Sequence, residues 1–288
     1  MFCEKIGLQH KNILFERFKK VDTMISEYNF ANIYLFRDKH DYELCWYNGK
    51  NNSEYLFIKG ITYDGLRYVM PTMNLEEVPK DILRDVLSYV DAIFPVDEKW
   101  LDYLKDQFVF DYKDGDSDYI YTVEKISTYK GRKLHKKRNL LKQFYKLYEH
   151  ECKPLTDDFV NDAREILDLW IEENNFKKDD TDYYACQEAL NLLDELVLCG
   201  LIYYVNGKPA GFIIGEEHNE DMFVIHFAKG LKRYKGIYQF IYNDFAKRLP
   251  KRYKFLNFEQ DLGQMALRKA KSSYYPDILL KKFRISLK

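Results

Sequence analysis

With 288 residues, of which 46% are hydrophobic and 32% charged, the chain carries apolar content for two cores, which excludes a disordered polymer. A formal net charge of −1 argues against a protein that coats duplex DNA by bulk charge. The five cysteines (Cys3, Cys45, Cys152, Cys186, Cys199) are odd in number, form no CxxC pair and show no metal-ligand pattern, so the sequence predicts no metal site and incidental thiols in a reducing, cytoplasmic compartment.

The opening MFCEKIGLQHKN lacks the apolar core of a secretory signal, and the longest nearly apolar run, 196–205, is too short to cross a bilayer. Charge is unevenly spread: residues 76–118 hold 13 acidic and 5 basic side chains, 156–195 hold 13 and 3, and 251–288 hold 3 and 10. The basic C-terminal stretch reads equally as the seat of an anionic ligand and as a solvated face. The 25 Tyr and 20 Phe read as a compositional bias rather than a stacking surface.

Apolar spacing predicts a helix over 11–28, then short strands at 32–36, 42–47, 54–58 and 67–70, with a hairpin turn at 48–52. Pro79 opens a helix to about residue 92, a shorter one covers 96–105, and the alternating run 118–126 returns to strand. After Gly131 a basic helix over 131–148 presents Leu134, Leu141, Tyr145 and Tyr148 on one stripe, and the domain junction is placed at its start, dividing the chain into 1–128 and 129–288. A strand at 150–155, helices at 158–175 and 182–199, and strands at 201–205, 210–217 and 221–229 follow. A helix stopped by Pro250, a strand at 255–259, a helix at 263–271 and a strand at 277–285 complete the chain.

That order in the second half, with three consecutive antiparallel-type strands before a crossover helix, matches the GNAT acyltransferase topology. In that fold the loop before the crossover helix gathers backbone N–H groups around an anionic phosphate chain. Here Lys229, Gly230, Arg233, Lys235 and Gly236 fit the role, although a basic turn before a core-packing helix accounts for them equally. The coenzyme A pattern R/Q-x-x-G-x-G/A is met from Arg233 only as far as Gly236; Tyr238 stands in place of the second glycine.

Two distant segments carry a more specific likeness. EKISTYKGRKLHKKRNLLKQF (124–144) and NFEQDLGQMALRKAKSSYYPDILLKKFRI (257–285) resemble the signature regions of the phosphatidylglycerol lysyltransferase C-terminal-domain-like family, through G-R-x-x-x-x-K-R-N and N-x-E-x-D-x-G-x-x-x-L-R-x-x-K-x-S-Y-x-P. The resemblance implies an α/β (mixed α+β) chain of two tandem GNAT-like domains, each a mixed, largely antiparallel sheet flanked by helices. It also implies transfer of an aminoacyl or acyl group from aminoacyl-tRNA, or from acyl-CoA, to an amine or hydroxyl in a cleft where the halves meet. Lipid-modifying members use a membrane-embedded half that this sequence does not contain.

Under that reading Glu259 and Asp261 are the candidate proton acceptors, with Tyr274 as a phenolic donor; acidic residues at a helix start also serve as caps, and a tyrosine also packs. Arg268 and Lys271, three apart on one helix, are candidate ligands for a phosphate or carboxylate, with Asn257 and Gln260 beside them. Arg132, Lys136, Lys137, Arg138 and Asn139 form a stripe suited to an RNA acceptor end or to plain solvation. His226, on an apolar strand, is expected to be a satisfied core histidine. The alternative function is a catalytically silent GNAT-fold module that binds an anionic small molecule or RNA; the sequence names neither donor, acceptor nor oligomeric state.

Overall fold

The computed structural model describes residues 1–47 and 55–288, so the hairpin turn expected at 48–52 lies outside the described residues. The chain opens with β1 (Phe2–Lys5), α1 (Lys11–Phe18), α2 (Phe30–Leu35), α3 (Arg37–His40) and β2 (Glu43–Trp46). Next come β3 (Leu56–Ile61), β4 (Arg67–Pro71), α4 (Lys80–Val86), β5 (Ala92–Val96), α5 (Leu101–Leu104) and β6 (Phe108–Tyr112). The middle holds β7 (Asp118–Thr122), α6 (Val123–Thr128), α7 (His135–Leu147), β8 (His150–Pro154), α8 (Val160–Asn174) and α9 (Tyr183–Asn191). The remainder is β9 (Cys199–Val205), β10 (Lys208–Asn219), β11 (Met222–Gly230), α10 (Ile237–Arg248), β12 (Phe255–Asn257), α11 (Met265–Ser272), β13 (Ile278–Leu280) and β14 (Phe283–Leu287).

These elements form two mixed, mostly antiparallel sheets flanked by helices, in the orders β1-β2-β3-β4-β5-β14-β6 and β13-β7-β12-β11-β10-β9-β8. The first compact unit comprises residues 1–118, 260–268 and 279–288; the second comprises 119–259 and 269–278. The chain therefore passes between units four times rather than once near residue 129, because β14 inserts between β5 and β6 of the first sheet, antiparallel to both. The basic tail supplies two buried cations to the first unit. Lys282 has its ammonium 2.6 Å from both Glu27 and Asp118, and the Arg284 guanidinium is shared between Asp64 and Asp116.

Several local expectations are corrected. Residues 32–36 are not a strand: α2 buries all six of its residues, Asn32 included, and a short run buried on every side has no period to distinguish helix from strand. The first helix stops at Phe18 rather than near 28. Strand β7 ends at Thr122, whose hydroxyl accepts the Lys125 N–H at 3.3 Å and caps α6. The helix expected over 182–199 ends at Asn191, and Val197 at φ 56° lies outside helical space. Gly200 is not a helix stop but part of β9, where a Cβ would sit 2.7 Å from the Ile213 carbonyl oxygen. The run 277–285 is two strands in different sheets. The thiols are not all free, since Cys3 and Cys45 form a disulfide; they face each other across the β1–β2 pair, a register that their separation of 42 conceals.

The second unit's core gathers on α10, whose Phe240 stacks on Phe144 of α7 at 4.3 Å between ring centroids. Gly236 precedes α10 at φ 85°, and a Cβ there would lie 2.5 Å from the Leu140 carbonyl oxygen, so this glycine permits the contact of the α10 start with α7.

Candidate active site in the second unit

Strand β11 runs parallel to β12 for only three pairs, Met222–Phe255, Phe223–Leu256 and Val224–Asn257. From Ile225 to Gly230 its pairing is with β10 alone among the described residues. The register against β10 slips at the same place. Gly215 faces Ile225 and Ile214 faces Phe227, which leaves His226 as the extra residue of a β-bulge. Gly215 permits the bulge, because a Cβ would stand 2.0 Å from the Val224 carbonyl oxygen, a backbone atom that cannot swing aside. Gly215→Ala is expected to cost about 1–3 kcal/mol of stability. An unchanged urea midpoint would show that this close approach does not hold the bulge.

The bulge turns His226 between two carboxylates. Its side chain is fully buried, with Nε2 2.9 Å from Glu216 Oε1 and Nδ1 2.8 Å from Glu259 Oε1. Burial disfavours the charged ring, yet Glu259 and Glu216 together push its pKa up to about 10, so both ring nitrogens donate at neutral pH. The ring bridges β11 to the chain just past β12, where backbone pairing between the two strands has ended.

Glu259 sits in a turn bent by the left-handed conformations of Glu259, Leu262 and Gly263, at φ 58°, 53° and 73°. Asn257 Oδ1 accepts the Glu259 N–H at 2.7 Å. The Lys271 ammonium donates to the carbonyls of Phe258 at 2.6 Å and Glu259 at 3.1 Å. Asn257, Glu259 and Lys271 are thus brought together. In the first unit, fully buried Asp261 accepts Arg268 Nε at 2.8 Å and Nη2 at 3.1 Å as well as the Gly263 N–H at 2.8 Å. Gln260 accepts Lys282 Nζ at 3.1 Å. Arg268 thus holds Asp261 within the first unit, and Lys271 holds two carbonyls within the second.

The residues before α10 are also tied within the second unit. The buried Lys229 ammonium lies 2.6 and 2.8 Å from the two Asp182 oxygens and 3.9 Å from the Trp170 ring centroid. Trp170 Nε1 in turn donates to the Tyr238 hydroxyl at 2.9 Å. Gly230 packs against Ile237 and Ile241, Arg233 pairs with Glu173, and the Lys235 N–H donates to the Tyr148 hydroxyl at 3.1 Å.

Helix α7 meets the chain following α11 through Lys137, whose Nζ is 2.6 Å from Ser273 Oγ and 3.7 Å from the Tyr274 ring centroid. The two distant segments that carry the family likeness therefore touch. Arg138 donates to the carbonyls of Tyr129 and Gly131, whereas Arg132 and Asn139 are exposed. Tyr274 is buried among Tyr121, Tyr129 and Tyr242 and accepts Gln239 Nε2 at 3.0 Å; burial holds its phenol proton on far above neutral pH.

Sequence reasoning missed Glu216, Asp182, Trp170 and Ser273. The run AGFIIGEE did show a glycine and two carboxylates ending a strand, but a one-residue bulge on the partner strand leaves no mark in side-chain alternation.

The family model described as "Phosphatidylglycerol lysyltransferase, C-terminal" matches residues 18–286. An uncharacterised protein of Mycoplasmoides gallisepticum is 22% identical over 206 residues, which cover 69% of this chain and 65% of that relative. The chain is also similar to a conserved protein of unknown function from Bacteroides thetaiotaomicron, with TM-score 0.86, 27% identity and 99% of each chain covered. L-PGS from Bacillus licheniformis shares the fold at TM-score 0.58 and 15% identity, over 88% of this chain and 90% of that one. No helix among the described residues is long and apolar enough to cross a membrane.

Proposed function

Because the chain belongs to the phosphatidylglycerol lysyltransferase C-terminal family, we propose that it moves an activated aminoacyl or acyl group onto an amine or hydroxyl acceptor. The observation that carries this reading is the bulge that sets His226 between Glu216 and Glu259 where β11 and β12 cease to pair. The acceptor nucleophile must lose a proton as it attacks the donor carbonyl, and Glu259, oriented by the imidazolium, takes it. Backbone N–H groups of β11 between Phe227 and Lys229 stabilise the oxyanion of the tetrahedral intermediate.

Aminoacyl-tRNA is the preferred donor. Tyr238 fills the place of the second glycine in the coenzyme A pattern, and Asp182 already neutralises Lys229, which weakens the case for a pyrophosphate there. The basic segment that leads into α7 and its first turn, with Arg132, Lys137, Arg138 and Asn139, suits phosphodiesters at the donor's end. We place the activity in the cytoplasm and leave the acceptor, a lipid hydroxyl included, to experiment.

A second reading, a catalytically silent module that binds the same donor, is favoured by the protein partners that hold Asp261, Arg268 and Lys229. Incubation with radiolabelled lysyl-tRNA or acetyl-CoA and a panel of amine and hydroxyl acceptors separates the two. Transfer of label to an acceptor is the expected result; saturable binding of charged tRNA without transfer supports the silent module instead.

A further inference from the structure

Three of the less exposed cations in the second unit are held by protein acceptors. Lys229 is neutralised by Asp182, Lys271 is tied to two carbonyls, and Arg138 is tied to two others. Lys137 differs. It is half-buried, it has no carboxylate partner among the described residues, and its ammonium rests between a hydroxyl and the face of a tyrosine ring. Neither contact supplies a full opposite charge.

We propose that Lys137 is a reactive lysine, a site at which activated acyl compounds (acyl phosphates, thioesters or aminoacyl esters) acylate this protein. The neutral Nζ attacks the acyl carbonyl carbon. The C–N bond forms, and the C–O or C–S bond breaks. The leaving group departs with the electron pair, and the surplus amine proton passes by way of Ser273 Oγ or solvent to that leaving group. The product is a neutral amide, which removes the charge of Lys137 from the K-R-N element of the family-like segment. The inference goes beyond the transfer reading and does not require it.

Two features make this side chain a better nucleophile than its neighbours. The groups in contact with it are the Ser273 hydroxyl and the Tyr274 ring, just past the end of α11; nearby, Lys133, ahead of α7, lies 5.4 Å from the centre of the adjacent Tyr275 ring. All are neutral or cationic, so none favours the ammonium form as a carboxylate would. Burial accordingly holds the Lys137 pKa down at about 8. At pH 7.5 an ordinary lysine is about 0.1% neutral, whereas a group titrating near 8 is roughly one quarter neutral. Lower intrinsic nucleophilicity takes back part of that gain, which leaves about a tenfold advantage.

The test is trace labelling of the full chain with acetyl phosphate, with each lysine quantified by mass spectrometry. Lys136, exposed on the same helix, is the internal reference. Lys137 should be acetylated about tenfold faster than Lys136 at pH 7.5, with the ratio falling steadily as pH rises and dropping below one by about pH 10. Ser273→Ala should reduce the Lys137 rate while the Lys136 rate stays constant. Equal rates at pH 7.5, or a ratio that does not change with pH, would overturn the proposal. Rapid labelling of Lys137 in a protein that transfers nothing would leave this inference standing and count against the transfer reading alone.

Discussion

His226→Leu should lower the unfolding free energy by about 3–5 kcal/mol at neutral pH, because it removes the cation between two nearly buried carboxylates. Glu216 and Glu259 have side chains only 9% and 12% exposed, so little water replaces the lost imidazolium. The pH dependence gives the loss a signature. The folded-state pKa of His226 is raised to about 10, above its unfolded value near 6.5, so its contribution is fully present below about 6.5 and is lost as pH rises through about 10. Urea midpoints of the two proteins should lie furthest apart near pH 6 and converge towards pH 10. A gap that does not change with pH would mean that the ring stabilises by packing, not by charge.

Lys282→Met should have an effect of similar size in the first unit. Its side chain is fully buried, and its ammonium faces Glu27 and Asp118 at 2.6 Å each, with Ser26 and Gln260 completing the shell. Loss of about 3–5 kcal/mol is expected, since buried carboxylates lose the charge opposite them. Burial already raises the Glu27 pKa to about 7, with the Asp118 charge adding to the rise and Lys282 opposing it. A carboxyl raised in the fold contributes stability that is present below its unfolded pKa near 4.3 and lost as pH climbs through about 7. The variant should therefore be most impaired above neutrality, and adding Glu27→Gln to Lys282→Met should restore part of the loss. Chemical denaturation at pH 5 and pH 8 checks both statements; no recovery in the double variant would contradict the charge account.

Both networks show where the sequence was legible and where it was not. The second unit's order from β8 to α11 was readable because long amphipathic elements such as α7, α8 and α10 repeat apolar residues at helical spacing, and because β9, β10 and β11 are long strands joined by short turns. The first unit was less readable. Its α2 is buried on every side, and its C-terminal strand arrives from the far end of the chain. The basic stretch that holds Lys282 and Arg284 read equally as an anionic-ligand seat and as a solvated face, because nothing local reveals that Asp118, Glu27, Asp64 and Asp116, remote in sequence, stand opposite them. The same limit applied to the site. Asn257 and Glu259 were read together, and Lys271 separately as an anion ligand beside Arg268, all from one segment, while Glu216 and His226 join them only through strand register. Tyr274 was readable as a motif residue, but its burial among other tyrosines is a tertiary fact.

Single-turnover transfer from lysyl-tRNA, compared between the native chain and Glu259→Gln, bears most directly on the proposed chemistry. Loss of the proton acceptor should slow transfer by about 10²- to 10⁴-fold while tRNA affinity is retained. A Glu259→Gln protein that stays folded and transfers at the native rate would remove the carboxylate beside His226 from the mechanism.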